Sequence, residues 1–144
     1  MQTVKSDSMA RKLLLMIWFV FFIFNLSAIM FLYSDNWIEK DSFQEAVKKL
    51  STIYAPYIGT ISLFYWGTVG KKKKMTNKVG TAFTLALLCS LLWNGIITFF
   101  IFLLVMQYVT IEESFENIQY IGGLFSWLVA GIIGYYFANP TLNE

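Results

Sequence analysis

Asn25, Ser90, Asn94 and Thr98 lie deep inside long apolar stretches, and theirs are the side chains whose positions most demand a chemical explanation. An Asn amide at mid-membrane must bond to another helix or to water, because an unpaired polar group in hydrocarbon is costly. At about 100° per residue, Ser90, Asn94 and Thr98 share one half of a helix with Thr81, Thr84 and Gly95. Trp93, Ile96 and Phe100 fall on the other half. Two kinds of chemistry follow. One is an interhelical clasp, with Asn25 as the partner of Asn94; the other is a water-lined path with Asn94, Ser90 and Thr98 on its wall.

Other chemistry is scarce. His is absent and Cys occurs once, so imidazole bases, axial haem ligands, thiol pairs and internal disulfides have no residues to build them. Cys89 lies off the polar face and reads as a small buried hydrophobe. No Asp, Glu, Lys or Arg falls inside an apolar stretch, which removes carboxylate proton relays, charged ion-coupling sites and voltage sensors. There is no Ser-His pair, no phosphate-binding G-x-x-x-x-G-K motif and no cysteine tetrad, so neither an enzyme nor a cofactor or metal site is expected. The net charge of +2 gives no basic footprint for nucleic acid. Lys71, Lys72, Lys73, Lys74 and Lys78 form the one dense positive patch. Its first role is topogenic; it can also attract anionic lipids or an acidic cytosolic partner.

The elements that must position these residues follow from the charge pattern. With 57% hydrophobic and 14% charged residues and a mean hydropathy of +0.58, the composition is that of a membrane protein. Charges cluster so as to leave four apolar stretches, which predicts an all-α integral membrane four-helix bundle with spans over 13–34, 50–70, 79–111 and 117–139. Runs such as Trp18 to Phe24 do not alternate, as barrel strands would. The first stretch is too long for a secretory signal and lacks a cleavage site, so it should remain as a span. Asn25-Leu26-Ser27 matches a glycosylation acceptor, but its depth in that span takes it out of reach. Lys and Arg concentrate in the tail 1–12 and the loop 71–78, against a mixed loop 35–49 and an acidic loop 112–116. Both termini, including the tail 140–144, should therefore be cytoplasmic in a plasma (inner) membrane.

Ser42-Phe43-Gln44-Glu45 reads as a capping box opening a short amphipathic helix on the outer surface, and Pro56 predicts a kink in the second span. In the fourth span Gly122, Ser126, Ala130, Gly134 and Ala138 recur every four residues, a small-residue ridge along which helices can approach closely. Ser51, Ala55, Gly59 and Gly67 echo it in the second span, broken by Leu63. A shift of 71 residues superposes the two ladders and carries Phe64-Tyr65-Trp66 onto Tyr135-Tyr136-Phe137, suggesting two hairpins in parallel repetition. Spans one and three do not align well at that shift. Both aromatic triplets should anchor the inner interface.

In plan alone, four spans with almost no soluble part, the chain resembles small phage-exclusion channel proteins and accessory membrane effectors of bacterial defence operons; no residue motif carries that likeness. Two functions are expected from the ridges and the polar arc. In the first, protomers associate through spans two and four, and the polar faces of span three enclose a pore-like path. In the second, the protein is a non-catalytic adaptor that grips another membrane protein while the Lys-rich loop docks a cytosolic one.

Overall fold

The computed structural model describes residues 3–68 and 77–138. They form four helices, α1 (Thr3–Ser34), α2 (Lys40–Thr68), α3 (Asn77–Val105) and α4 (Ile111–Ala138). The fold is an all-α four-helix bundle, and three of its helices contain segments long and apolar enough to cross a membrane: Met9–Ser34, Thr81–Val105 and Ile111–Tyr136. α2 is as long as its neighbours but less apolar, because charged residues fill its first turns and Ser, Thr, Tyr, Gly and Pro56 interrupt the rest.

Each helix runs alongside two others, and only long side chains reach across the diagonals. α1 packs on α2 and α3, and α4 packs on α3 and α2, so α1 lies diagonally across from α4 and α2 from α3. The adjacent pairs are therefore two antiparallel hairpins set side by side. Trp18, Tyr54, Trp93, Ile97, Phe115, Ile118 and Ile133 are among the buried side chains between them.

The two hairpins repeat each other at an offset of 71 residues. α1 ends at Ser34 and α3 at Val105; α2 begins at Lys40 and α4 at Ile111. Both turns are Schellman motifs built on a left-handed residue, Asn36 (φ 58°) in the first and Gln107 (φ 59°) in the second. The Asn36 and Trp37 amides donate to the Tyr33 and Leu32 carbonyls, and the Gln107 and Tyr108 amides donate to the equivalent carbonyls of Leu104 and Leu103. Asn tolerates the left-handed region, whereas Gln carries the ordinary penalty of about 1 kcal/mol. Gln107→Gly should therefore raise the melting temperature in detergent, while Asn36→Gly should change it less.

Burial explains why the apolar stretches of α1 and α3 do not align at the shift that superposes the two turns. Leu14, Trp18, Asn25, Ile29 and Leu32 are buried on α1; Ala86, Ser90, Ile97, Ile101 and Leu104 of α3, each one position beyond the equivalent, are buried too, and α3 adds Trp93 and Asn94. The same step separates Ala46, Leu50 and Ile61 of α2 from Ile118, Gly122 and Ile133 of α4. One residue is about 100° of helix. A hairpin placed beside its copy in the same orientation must turn its inward face by a quarter circle, and a one-residue change of phase does that.

Several sequence expectations are corrected. α1 begins at Thr3, so the described part of the basic tail continues the first helix, and Arg11 is buried with its guanidinium 5.9 Å from the Tyr136 ring. No separate outer helix exists among the described residues: 40–49 are the first turns of α2, held there by fully buried Ala46 and Leu50, and α2 runs on through Pro56. Ser42 lies inside that helix and is not its cap. The second turn sits at 106–110, within the expected third span, so Glu112, Glu113 and Glu116 belong to α4 rather than to a loop. The capping box occurs here instead. The Thr110 amide donates to Glu113 Oε2 at 2.9 Å, and the Glu113 amide donates to Thr110 Oγ1 at 3.2 Å.

Candidate functional site

The strongest concentration of polar chemistry is a seam between α1 and α3, closed by α2. Helical spacing brings Ser90, Asn94 and Thr98 onto one ridge of α3, and α1 presents Trp18 and Asn25 two turns apart. Trp18 Nε1 donates to Ser90 Oγ at 3.0 Å. Asn25 spends both amide protons across helices, on Tyr54 Oη at 3.0 Å and on Thr98 Oγ1 at 3.1 Å. Trp18 also stacks on Tyr57 at 4.7 Å and meets Tyr54 edge-on at 6.0 Å, so one indole ties three helices together.

Asn25, Ser90 and Asn94 are completely buried, and Thr98 is half-buried. The expected Asn25–Asn94 clasp is not formed. Trp18 lies opposite Ser90 and Asn25 opposite Thr98, and Asn94 falls between Ser90 and Thr98 along α3, one turn from each. Asn94 Nδ2 donates instead to its own helix, to the Ser90 carbonyl at 2.7 Å. Asn25 Oδ1, Asn94 Oδ1 and Trp93 Nε1 are buried without a hydrogen-bond partner.

The polar arc read from the sequence splits in two. Ser90 and Asn94 point into the bundle, whereas Thr81, Thr84 and Gly95 are exposed, because the inward face is centred between Asn94 and Trp93. Trp93, assigned by its angle to the opposite half, is in fact buried against Tyr57 and Gly122. Ser90 and Asn94 thus face the interior of one four-helix unit, where the Ser90 hydroxyl accepts from Trp18 and Asn94 Oδ1 stays unpaired. The missed participants were Trp18, Tyr54, Tyr57 and Trp93. A Trp far from either end of a span was the available signal, since its N–H needs a partner there. Asn25→Ala should lower stability by about 1–3 kcal/mol through loss of both cross-helix bonds, whereas Ser27→Ala, which loses only a bond within α1, should have little effect.

The small-residue ladders diverge from the seam. A four-residue period gains about 40° per step on a 3.6-residue helix. Gly122 is accordingly buried, with the Trp93 ring 2.9 Å from where a Cβ would stand; Ser126 is half-buried and Ala130 exposed. A Cβ at Gly123, Gly131 or Gly134 would meet nothing within 4 Å. On α2, Ala55 and Gly59 are exposed, and a Cβ at Gly59 is also unopposed. Gly67 and Ala138 fall in the final turns of α2 and α4. Of the ladder glycines, Gly122 is packed within the chain, whereas Gly59 and Gly134 have no neighbour within 4 Å of a would-be Cβ.

Lys78 lies in the first turn of α3, while Lys71, Lys72, Lys73 and Lys74 fall outside the described residues. At the opposite end, Lys49 pairs with Glu45 at 2.8 Å, and that hydrogen bond and charge hold the exposed Glu45 carboxyl below its ordinary range. Among the described residues, no group of three or more His, Cys, Asp or Glu could hold a metal ion. Cys89 is half-buried and unpaired.

These features define a small helical membrane-associated protein whose helices pack together around a polar seam. No protein-family model matches the chain, and no curated protein or solved structure matches it either.

Proposed function

We propose that the protein is a non-catalytic, four-span unit of the plasma (inner) membrane that associates laterally with other transmembrane helices through α4. In this reading α2 is the fourth span, its polar residues partly sheltered by α1 and α4. Both termini and the Lys-rich segment 71–78 face the cytoplasm, where five lysines are available to anionic lipids or an acidic cytosolic partner. The observation that carries the proposal is the open side of α4: Ala130 and Gly123 are exposed, and Gly134 has nothing within 4 Å of its would-be Cβ. Since lipid gives helices no hydrophobic reason to associate, such a surface favours close approach by a neighbouring helix, either a second copy or another membrane protein.

Mass measurement of the protein extracted in mild detergent distinguishes the partners. A homogeneous homo-oligomer supports self-association, a stoichiometric complex with another integral protein supports the adaptor, and a stable monomer under every extraction condition overturns both.

A permeability effector is the second reading, favoured by the unpaired acceptors of Asn25 and Asn94 at mid-bundle. Here water would thread a single bundle rather than a gap between protomers. Planar-bilayer recording tests it: conductance that disappears in Asn94→Leu supports this reading, and silence at all voltages counts against it.

A further inference from the structure

We propose that the bundle holds a structural water molecule at mid-membrane, bound jointly by Asn25 Oδ1, Asn94 Oδ1 and Trp93 Nε1. All three atoms are buried, and none has a protein partner. Their chemistry is complementary to one ligand. Two carbonyl oxygens require two donated protons, and one indole N–H requires one acceptor; water offers two of each. A site with three polar partners is what an internal water needs to persist. The placement agrees with the balance of donors. Asn94 lies one turn from the Asn25–Thr98 bond on the same seam, and Trp93 is its neighbour in α3, buried toward the bundle centre. The water completes the clasp that the two asparagines, a turn out of register, cannot make directly. It is independent of whether α4 binds a neighbour.

Water-edited solid-state NMR tests the site, using the full chain with 15N-labelled Asn and Trp in phosphatidylethanolamine–phosphatidylglycerol vesicles. Magnetisation should pass from water to the side-chain amides of Asn25 and Asn94 and to the Trp93 indole, and not to the Trp18 indole, which is equally buried but bonded to Ser90. If the three groups stay as dark as Trp18, the proposal is overturned. Asn94→Leu should abolish transfer to Asn25 and Trp93; undiminished transfer at both contradicts a shared molecule. Where that variant fails to fold, Trp93→Phe retains a ring: loss of transfer at Asn25 supports the site, and unchanged transfer overturns it.

Discussion

Replacing Trp93 by alanine should lower the unfolding free energy by about 3–5 kcal/mol, read from denaturant titration in micelles. The indole is only 3% exposed and stands where three helices meet: it belongs to α3, its ring is 5.7 Å from that of Tyr57 on α2, and it covers Gly122 on α4. Truncation leaves a large void that backbones already held by the Trp18–Ser90 and Asn25–Thr98 bonds cannot close. Gly122→Ala probes the same contact from the other side. Its Cβ would lie 2.9 Å from the ring, so the indole must shift, at a cost of about 1–3 kcal/mol. Because the two residues touch, their effects should not add: Gly122→Ala on the Trp93→Ala background should cost little or even stabilise, and full additivity would mean the contact is absent.

Ala130→Leu combined with Gly134→Leu should behave in the opposite way. Ala130 is exposed and Gly134 is unopposed, so the fold should keep its melting temperature. Lateral association should weaken by about tenfold or more, equivalent to about 1.4 kcal/mol, because the added branches hold a neighbouring backbone away. Förster transfer between labelled copies in vesicles, or recovery of a co-purified membrane partner, reads the loss. A stability loss equal to that of Gly122→Leu would place these residues inside the bundle and remove the basis for α4 as the docking side. Together the two sets of substitutions divide one sequence ladder into a packing residue and an interaction surface.

Much of this architecture is written in simple periodicities. Charge clustering separates the helices, and the 71-residue offset between the ladders is the offset at which both turns, with Asn36 and Gln107, repeat. The boundaries were less legible for a physical reason: Gln107-Tyr108-Val109-Thr110 carries no charge, so the second turn is hidden within an uncharged stretch until the capping pair Thr110–Glu113 is noticed. The seam was half legible. Asn25, Ser90, Asn94 and Thr98 are conspicuous in hydrocarbon, but their pairing depends on the axial register of α1 against α3, which intrahelical spacing does not contain. A hydrophobic helix also gives few clues to its inward face, since lipid and core accept the same side chains, and so Trp93 could be placed on the wrong half.

Everything rests on two hairpins threading the bilayer so that the turns at 35–39 and 106–110 share one side and the segment 71–78 occupies the other. Single cysteines introduced as Gln44→Cys, Glu112→Cys and Thr76→Cys, each on a Cys89→Ser background, can be exposed to a membrane-impermeant maleimide in intact cells. The account predicts that positions 44 and 112 are labelled from outside and position 76 only after permeabilisation. Labelling of position 76 in intact cells, or of 44 and 112 from opposite sides, would contradict it.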